Sequence, residues 1–190
     1  RAGRLSAVLE VIYLVFNEGY SATAGDDWVR PSLCGEALRL GRILAELTPD
    51  EPEVHGLVAL MEIQSSRLRA RLGPAGEPFR LLDQNRALWD RLLIQRGLTA
   101  LRRAEASGGT PGLYVLQAAI AACHARASTP GETDWNRIAA LYETLAQTTQ
   151  SPIVRLNQAV AISMAHGPQA GLDLVDALAS DPALATYPYL

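Results

Sequence analysis

The sequence predicts an all-α fold of stacked antiparallel helical hairpins, tetratricopeptide-like, with about eight helices. The 190 residues include 30 Ala and 29 Leu but only 18 Val plus Ile. Ala and Leu favour helices, and the residues that favour strands are scarce. Pro and Gly punctuate the apolar stretches at short intervals. Because short loops make neighbouring helices antiparallel, we expect hairpins in a single helical domain over residues 1–190.

The first two helices are predicted from apolar residues at helical spacing. The first is expected from about Leu5 to Glu18, with Gly19 as its stop. Pro31 stands at a first helical position and opens the second helix, which ends at Thr48-Pro49.

The third and fourth helices lie on either side of a Pro- and Gly-rich break at residues 73–78. The acidic start Glu51-Pro52-Glu53 suits the positive end of a helix dipole, and the third helix is expected to reach about Leu72. The fourth is expected from about Gln84 to Ala106, with Asp83 able to cap it.

The last four helices begin at Pro or capping signals. Pro111 opens the fifth, Asp134 or Thr133 caps the sixth, Ser151-Pro152 opens the seventh, and Gly167-Pro168 separates the seventh from an eighth. The fifth is expected to end near Ala127 and the eighth near Ser180.

A repeat signal stands in the last hairpin. Small or apolar residues fall at the spacings of the second helix of a tetratricopeptide repeat: Ala170, Ala177, Leu178 and Pro182. In such a repeat small residues let two helices approach closely, so Ala170 and Ala177 are expected at the helix crossing. Leu156 and Ala159 fit the first helix of that unit if the turn has one extra residue. An Ala-rich bundle without repeats remains the alternative.

Charge and cysteine usage narrow the class of protein. The net charge is −3 and all 17 basic residues are Arg, which argues against a general polyanion-binding surface. Cys34 and Cys123 are expected to be buried free thiols. The apolar run at residues 11–16 is too short to span a bilayer, and no signal peptide is evident, so we expect a cytoplasmic protein without membrane contacts. The ends at Arg1 and Leu190 suggest a fragment of a longer protein.

No catalytic, metal or cofactor site is predicted, and the chain is not expected to be an enzyme. His55, His124 and His166 are isolated, and adjacent Cys123 and His124 point about 100° apart on a helix. No nucleophile elbow, P-loop or dinucleotide-binding motif occurs. The densest basic region, around Arg67 and Arg71, is expected to be a solvated helix face or a protein-binding patch.

Three polar clusters form the predicted interaction surface. The first follows the most apolar helix, the second follows the Pro- and Gly-rich break, and the third precedes the sixth helix. Their members are Asn17, Glu18 and Tyr20; Asp83, Gln84, Asn85, Arg86, Trp89 and Asp90; and Asp134 and Trp135. Each cluster alone could simply cap a helix. Together they indicate a shared binding surface or a buried polar network.

Ordered motifs along the chain resemble a known family. The stretch from Leu5 to Ala22, LSAVLEVIYLVFNEGYSA, is followed by further matches across essentially the whole sequence. These are Leu33-Cys34, Asp50-Glu51-Pro52-Glu53-Val54, Gly56-Leu57-Val58-Ala59-Leu60-Met61, Asp83-Gln84 with Arg86 and Trp89-Asp90, Leu116-Gln117-Ala118-Ala119, Thr133-Asp134-Trp135, and Ser151-Pro152 with Leu156-Asn157. The series resembles the tetratricopeptide-like C-terminal domain of extracytoplasmic-function (ECF) RNA polymerase sigma factors that carry a fused C-terminal extension.

The resemblance implies a regulatory, protein-interaction domain of a bacterial sigma factor that controls transcription initiation. Its implied partners are the conserved sigma regions of the same full-length chain and the RNA polymerase core, with DNA contacted only through those N-terminal regions. The sigma regions would precede Arg1, and a final helical hairpin would follow Leu190. Asn85 stands where the family usually has Asp, and Gln158 where it usually has Arg, so a salt bridge or contact could be weaker at either position.

Two other functions remain open at this point. The first is a stand-alone helical-repeat adaptor that binds a peptide or protein partner in a groove. The second is a small-molecule sensor with a pocket between helices, which would require Asn17, Glu18, Asp83 and Arg86 to converge on a cavity.

Overall fold

Antiparallel helical hairpins stack one on the next, as the sequence predicts. The computed structural model describes residues 2–21, 29–74 and 76–178. Within these ranges the α-helices are α1 (Ala2–Tyr20), α2 (Pro31–Leu47), α3 (Pro52–Ser65), α4 (Arg91–Ala106), α5 (Leu113–Arg126), α6 (Trp135–Thr149), α7 (Pro152–His166) and α8 (Pro168–Leu178). The described ranges contain no β-strand beyond an isolated bridge between Leu72 and Pro78. None of their helices has the length and apolarity needed to cross a membrane.

Helices α3 and α5 form the centre of the stack. Every residue of α3 from 54 to 63 is buried, and α5 is buried except at Leu113, Gln117 and Arg126. Helix α3 packs against both α4 and α5, while α1 packs on α2 and α6 on α7. Such helices need apolar residues on all sides, which is why neither has a clear polar face.

Glycines mark the closest helix crossings. A Cβ atom on Gly56 of α3 would lie 2.7 Å from the backbone nitrogen of Val115 in α5. A Cβ atom on Gly171 of α8 would lie 2.8 Å from the carbonyl oxygen of Ala159 in α7. These backbones approach so closely that only glycine fits without a shift.

In the last hairpin, the crossing predicted at Ala170 and Ala177 is wrong by one residue, while Leu178 of the same pattern is buried. Gly171 and Leu178 are the buried pair of α8, whereas Ala170 is half-buried and Ala177 is exposed. Pro182 lies outside the described residues. The shift places Gly171, rather than Ala170, at the crossing with α7.

Helix α4 begins seven residues later than the sequence indicates. Its first residue is Arg91 rather than Gln84, and its cap is Asp90 rather than Asp83. The Oδ1 atom of Asp90 accepts hydrogen bonds from the backbone N–H groups of Leu92 at 2.9 Å and Leu93 at 3.1 Å. A carboxylate at this position satisfies amides that the first helical turn leaves unpaired.

The ends of three other helices can be compared with the predicted ends. Helix α1 continues through Gly19, where a Cβ would lie 2.7 Å from the backbone nitrogen of Cys34, so this glycine is a contact with α2 rather than a stop. Helix α3 ends at Ser65, short of the predicted Leu72. The predicted cap of α6 is confirmed, because Oδ1 of Asp134 accepts the N–H of Arg137 at 2.9 Å.

The α3–α4 connection, residues 66–90, is the longest link between described neighbouring helices. It contains short 3₁₀ turns at Leu68–Ala70, Leu81–Asp83 and Arg86–Leu88. Its end is tied back to α3, because the backbone nitrogen of Asp90 donates to the carbonyl oxygen of Ser66 at 2.9 Å. The segment between these points reaches α5, and it carries the second predicted polar cluster.

Candidate interaction sites

The residues of the predicted interaction surface differ sharply in exposure. The four exposed residues are Asp83, Asn85, Asp90 and Asp134. The four half-buried residues are Asn17, Glu18, Tyr20 and Trp135, and the three buried residues are Gln84, Arg86 and Trp89. The burial of the last three fits the buried polar network that the sequence leaves open, rather than an exposed binding surface in this conformation. Partner binding by the other eight stays a prediction.

Arg86 is buried because it closes the end of α5. Its Nη1 atom donates to the carbonyl oxygens of His124 at 2.6 Å and Ala127 at 2.8 Å. The last carbonyl groups of a helix have no partners within the helix, and a cation there also meets the negative end of the helix dipole. Arg86 thereby fastens the α3–α4 connection to α5.

Trp89 contacts both this anchor and a second buried arginine. The guanidinium carbon of Arg86 is 4.6 Å from the centre of the indole ring, and that of Arg67 is 5.9 Å from it. Arg67 is only 9% exposed, so the expectation that it belongs to a solvated helix face is wrong. Cation–π contact and the packing of the aliphatic stem both favour such an arrangement.

The first predicted cluster contacts these residues through Tyr20, whose side chain forms a hydrogen bond with Arg67. The guanidinium carbon of Arg71 lies 3.6 Å from the centre of the Tyr20 ring, and that ring also stacks on Phe16 with centroids 5.7 Å apart. Glu18 instead pairs with Arg30 at 3.1 Å. Asn17 lines a separate groove of about 1260 Å³ between α1 and the starts of α3 and α5.

The third cluster joins the arrangement from the other side. The rings of Trp135 and His124 meet edge to face with centroids 5.2 Å apart, and the His124 carbonyl is the one that Arg86 holds. Burial, with the nearby charges of Arg67 and Arg86, lowers the pKa of His124 to about 4. The imidazole is therefore neutral at pH 7 and acts as a packed ring.

These contacts form one chain of side chains, which we call the Arg–Trp network. Its members are Tyr20, Arg67, Arg71, Arg86, Trp89, His124 and Trp135. The network links all three predicted clusters. His124 is not predicted as a member from the sequence, and Arg67 and Arg71 are expected there on a solvated helix face or a protein-binding patch. The reason is that the partners of these residues come from distant parts of the chain.

The two departures from the resembled family have simple local consequences. The Oδ1 atom of Asn85 accepts the N–H of Ala87 at 3.0 Å and caps the 3₁₀ turn that follows. The Nε2 atom of Gln158 in α7 donates to the carboxylate of Glu143 in α6. A hydrogen bond thus stands where an arginine would form an ion pair.

A cleft of about 340 Å³ lies beside the Arg–Trp network. Segments 80–83 and α5, α6 and α7 form its walls, and His124, Trp135, Tyr142 and Asn157 are among its lining residues. Aromatic and apolar groups make up most of the lining, and Arg80, Asp83 and Asn157 add polar groups. Asn17, Glu18, Asp83 and Arg86 do not line one common cleft among those found.

The outer side of α1 and α2 carries an exposed apolar face. Val8, Val11, Leu40, Ile43 and Leu47 are between 41% and 74% exposed. With Ala7, Ile12 and Leu44 they line a shallow groove of about 490 Å³ that contains almost no polar surface. This face was not predicted from the sequence, although the apolar residues on both sides of α1 indicate that one side could stay uncovered.

Groups capable of nucleophilic or metal chemistry are few in the described ranges. Burial raises the pKa of the Cys34 thiol to about 11, and the thiol donates to the Phe16 carbonyl oxygen at 3.8 Å. Both cysteines are buried and free, as predicted. The described residues contain no group of three or more His, Cys, Asp or Glu that could hold a metal ion.

Comparison with known proteins assigns a family to the part that contains this apolar face. Residues 4–105, more than half of the chain, match a family of unknown function, DUF6596. The chain belongs to this family. The DUF6596 match runs from α1 into α4 and includes Arg67, Arg86 and Trp89, whereas His124 on α5 and Trp135 on α6 lie beyond it.

A relative extends the similarity over nearly the whole chain. An uncharacterized protein of Rhizobium meliloti (strain 1021) is 50% identical over 178 residues, which cover 94% of this chain and 42% of the relative. This DUF6596 chain therefore spans less than half the length of that relative. No solved structure gives a significant match.

Proposed function

We propose that this domain is the regulatory, protein-interaction domain of a bacterial ECF sigma factor. It controls transcription initiation in the cytoplasm by contacting the sigma regions of its own full-length chain or the RNA polymerase core. The ordered sequence motifs support this proposal, and the hairpin stack is an architecture suited to protein contacts. Membership in DUF6596 is compatible with it.

The exposed apolar face of α1 and α2 is the observation that carries the proposal. Leu47 is 74% exposed and Val11 is 59% exposed, and both lie beside a groove with almost no polar surface. A contiguous apolar surface of this kind marks an interaction site on a soluble domain. Because the face belongs to the first hairpin, a segment that precedes this domain in a longer chain could reach it.

The relative from Rhizobium meliloti supports the same arrangement. More than half of its length lies outside the part that matches this chain. That length leaves room for the two sigma regions that the proposal places before the domain.

The proposal gives the domain no catalytic role. Its buried thiols are protonated at neutral pH, since burial raises the pKa of both Cys34 and Cys123. The Arg–Trp network then serves as a frame that holds the α3–α4 connection on α5, while the binding surface lies on α1 and α2.

A binding and transcription experiment tests the proposal. The sigma regions of the full-length protein are expressed separately, and their co-purification with this domain is measured for wild type, Val11→Asp and Leu47→Asp. We expect both substitutions to weaken binding at least tenfold and to change promoter-dependent transcription by the full-length protein. Leu172→Asp on α8, where the wild-type leucine is 51% exposed, is the matched control and should bind like wild type. Equal binding by all four proteins would contradict the proposal.

A stand-alone adaptor is the second candidate, and the 340 Å³ cleft favours it. Trp135, Tyr142 and exposed Asn157 could receive an apolar side chain and a backbone amide of an extended peptide. Val160→Asp, in the cleft lining, should then abolish partner binding while Val11→Asp leaves it unchanged, which is the reverse of the first proposal.

A further inference from the structure

Unpartnered polar atoms collect around the Arg–Trp network. Among the described residues, buried side-chain atoms without a hydrogen-bond partner include Nε of Arg67, Nε and Nη2 of Arg86, Nε1 of Trp89, and Nδ1 of His124. Buried polar groups in folded proteins nearly always have partners. Most of these atoms are N–H donors, so the group that would satisfy them is an acceptor.

The same place holds two buried positive charges. Arg67 and Arg86 are 9% and 8% exposed, and both guanidinium groups lie on the indole ring of Trp89. In the described part of the chain, the ion pairs are Arg30–Glu18, Arg39–Glu36 and Arg42–Glu62, and none involves either residue. The carbonyl oxygens held by Arg86 and the hydroxyl of Tyr20 near Arg67 bring partial negative charge. The carboxylate of Glu132 acts on Arg86 electrostatically without forming an ion pair with it, and it accepts the backbone N–H groups of Ser128 and Thr129 instead.

The two positive charges lower the pKa values of neighbouring groups. The charges of Arg67 and Arg86 add to burial in lowering the pKa of His124. Burial lowers the pKa of Arg86, and the charge of Arg67 lowers it further. A buried cation without a counterion is costly, and two close together are more so.

We propose that Arg67, Arg86 and Trp89 form a binding site for a small oxyanion, a carboxylate or a phosphate group. The guanidinium groups offer planar N–H donors that match such oxygens, and the indole N–H adds a third direction. Arg67, Arg86 and Trp89 do not line the 340 Å³ cleft, but His124, whose carbonyl oxygen Arg86 holds, does, so the cleft lies next to the proposed site. Because Arg67 lies at the start of the α3–α4 connection and Arg86 and Trp89 lie near its end, the bound anion would hold the two ends of this connection together. This site is independent of the α1–α2 face and of the proposed function.

Thermal unfolding in defined anions tests the site. The domain is titrated with sodium phosphate and, separately, sodium acetate at pH 7.5, with sodium chloride keeping the ionic strength constant. A ligand that binds only the folded state raises Tm as its concentration passes Kd. We expect a saturable rise in Tm with at least one of the two anions, and the stronger one identifies the class. No rise beyond that in chloride alone would overturn the proposal and leave water as the occupant.

Variants decide where the anion binds. Arg67→Met removes one charge, and Trp89→Phe removes the indole N–H while keeping an aromatic ring. Each substitution is expected to raise the Kd of the anion at least tenfold, as measured by isothermal titration calorimetry. Arg102→Met on α4 is the matched control, since this exposed arginine lies outside the Arg–Trp network and its variant should bind the anion like wild type. If Arg67→Met does not fold cooperatively, the test rests on Trp89→Phe. Unchanged affinity in Trp89→Phe, or an equal loss in Arg102→Met, would contradict the assignment.

Discussion

The Nη1 atom of Arg86 lies 2.6 Å from the carbonyl oxygen of His124, 38 residues later in the chain. This contact, with the one to Ala127 at 2.8 Å, holds the α3–α4 connection against the last turn of α5. The longest described link between neighbouring helices is thereby fixed at its far end. Arg86 is a structural anchor, although its sequence context resembles a surface cluster.

Removal of this anchor should destabilise the domain. We expect Arg86→Met to lower the free energy of unfolding by about 3 kcal/mol, because two buried carbonyl groups lose a charged donor. Arg86→Lys should cost less, since an ammonium group keeps the charge but lacks the planar fork. Urea unfolding followed by circular dichroism measures both. Exposed Arg91→Met is the control, and a loss of under about 0.5 kcal/mol in Arg86→Met would refute the anchor role.

Glycine contacts between helices give a second prediction. Gly56→Ala should cost about 2 kcal/mol, because its Cβ would lie 2.7 Å from the backbone nitrogen of Val115, which cannot move freely. Gly35→Ala in α2 should instead stabilise by about 0.7 kcal/mol, because a Cβ there meets nothing within 4 Å and alanine favours helix. Thermal unfolding of the two variants should move Tm in opposite directions. Shifts of the same sign would show that the α3–α5 crossing is looser than described.

The corrected start of α4 is tested by its cap. Asp90→Ala should lower the free energy of unfolding by about 1 kcal/mol, because the N–H groups of Leu92 and Leu93 lose their acceptor. Asp83→Ala, in the 3₁₀ turn before it, should change stability by less than about 0.5 kcal/mol. The two variants are compared by urea unfolding. The reverse order would place the helix start where the sequence alone suggests it.

His124 gives a prediction about pH. Its pKa in the folded state is about 4, below the 6.5 of an unperturbed histidine, so the unfolded state binds a proton first as pH falls. Its contribution to stability is therefore complete above about pH 6.5 and is lost as pH falls towards 4, amounting to about 3 kcal/mol. The unfolding free energy of wild type minus that of His124→Phe should decline over this range. A flat difference curve for His124→Phe would mean that the imidazole is not desolvated.

Much of the helical architecture could be predicted from local signals. Pro31, Pro152 and the cap at Asp134 set helix starts by chemistry that depends on a few adjacent residues. The start of α4 could not be predicted in this way, because Asp83 and Asp90 are equally good caps and tertiary contacts choose between them. Likewise, alanine spacing indicated a close crossing in the last hairpin, but the contact itself falls on Gly171.

The candidate sites could not be predicted from local signals, because their residues lie far apart along the chain. Arg67, Trp89, His124 and Trp135 come together only after α3, α5 and α6 have packed, so no local pattern separates a buried arginine from a solvated one. The apolar face was hidden for a related reason. Helix α1 is apolar on more than one side, and only the packing of α2 shows which side is left uncovered.

Hydrogen exchange shows whether the proposed docking of the sigma regions or the polymerase takes place on the apolar face of α1 and α2. Amide exchange is measured by mass spectrometry for the domain by itself, for the domain with the separately expressed sigma regions, and for the domain with RNA polymerase core. We expect slower exchange at residues 7–14 and 40–47 when one of these partners is added, with exchange in α7 and α8 unchanged. If neither partner slows exchange at these two segments, or if protection is confined to α7 and α8, the proposed docking surface is wrong.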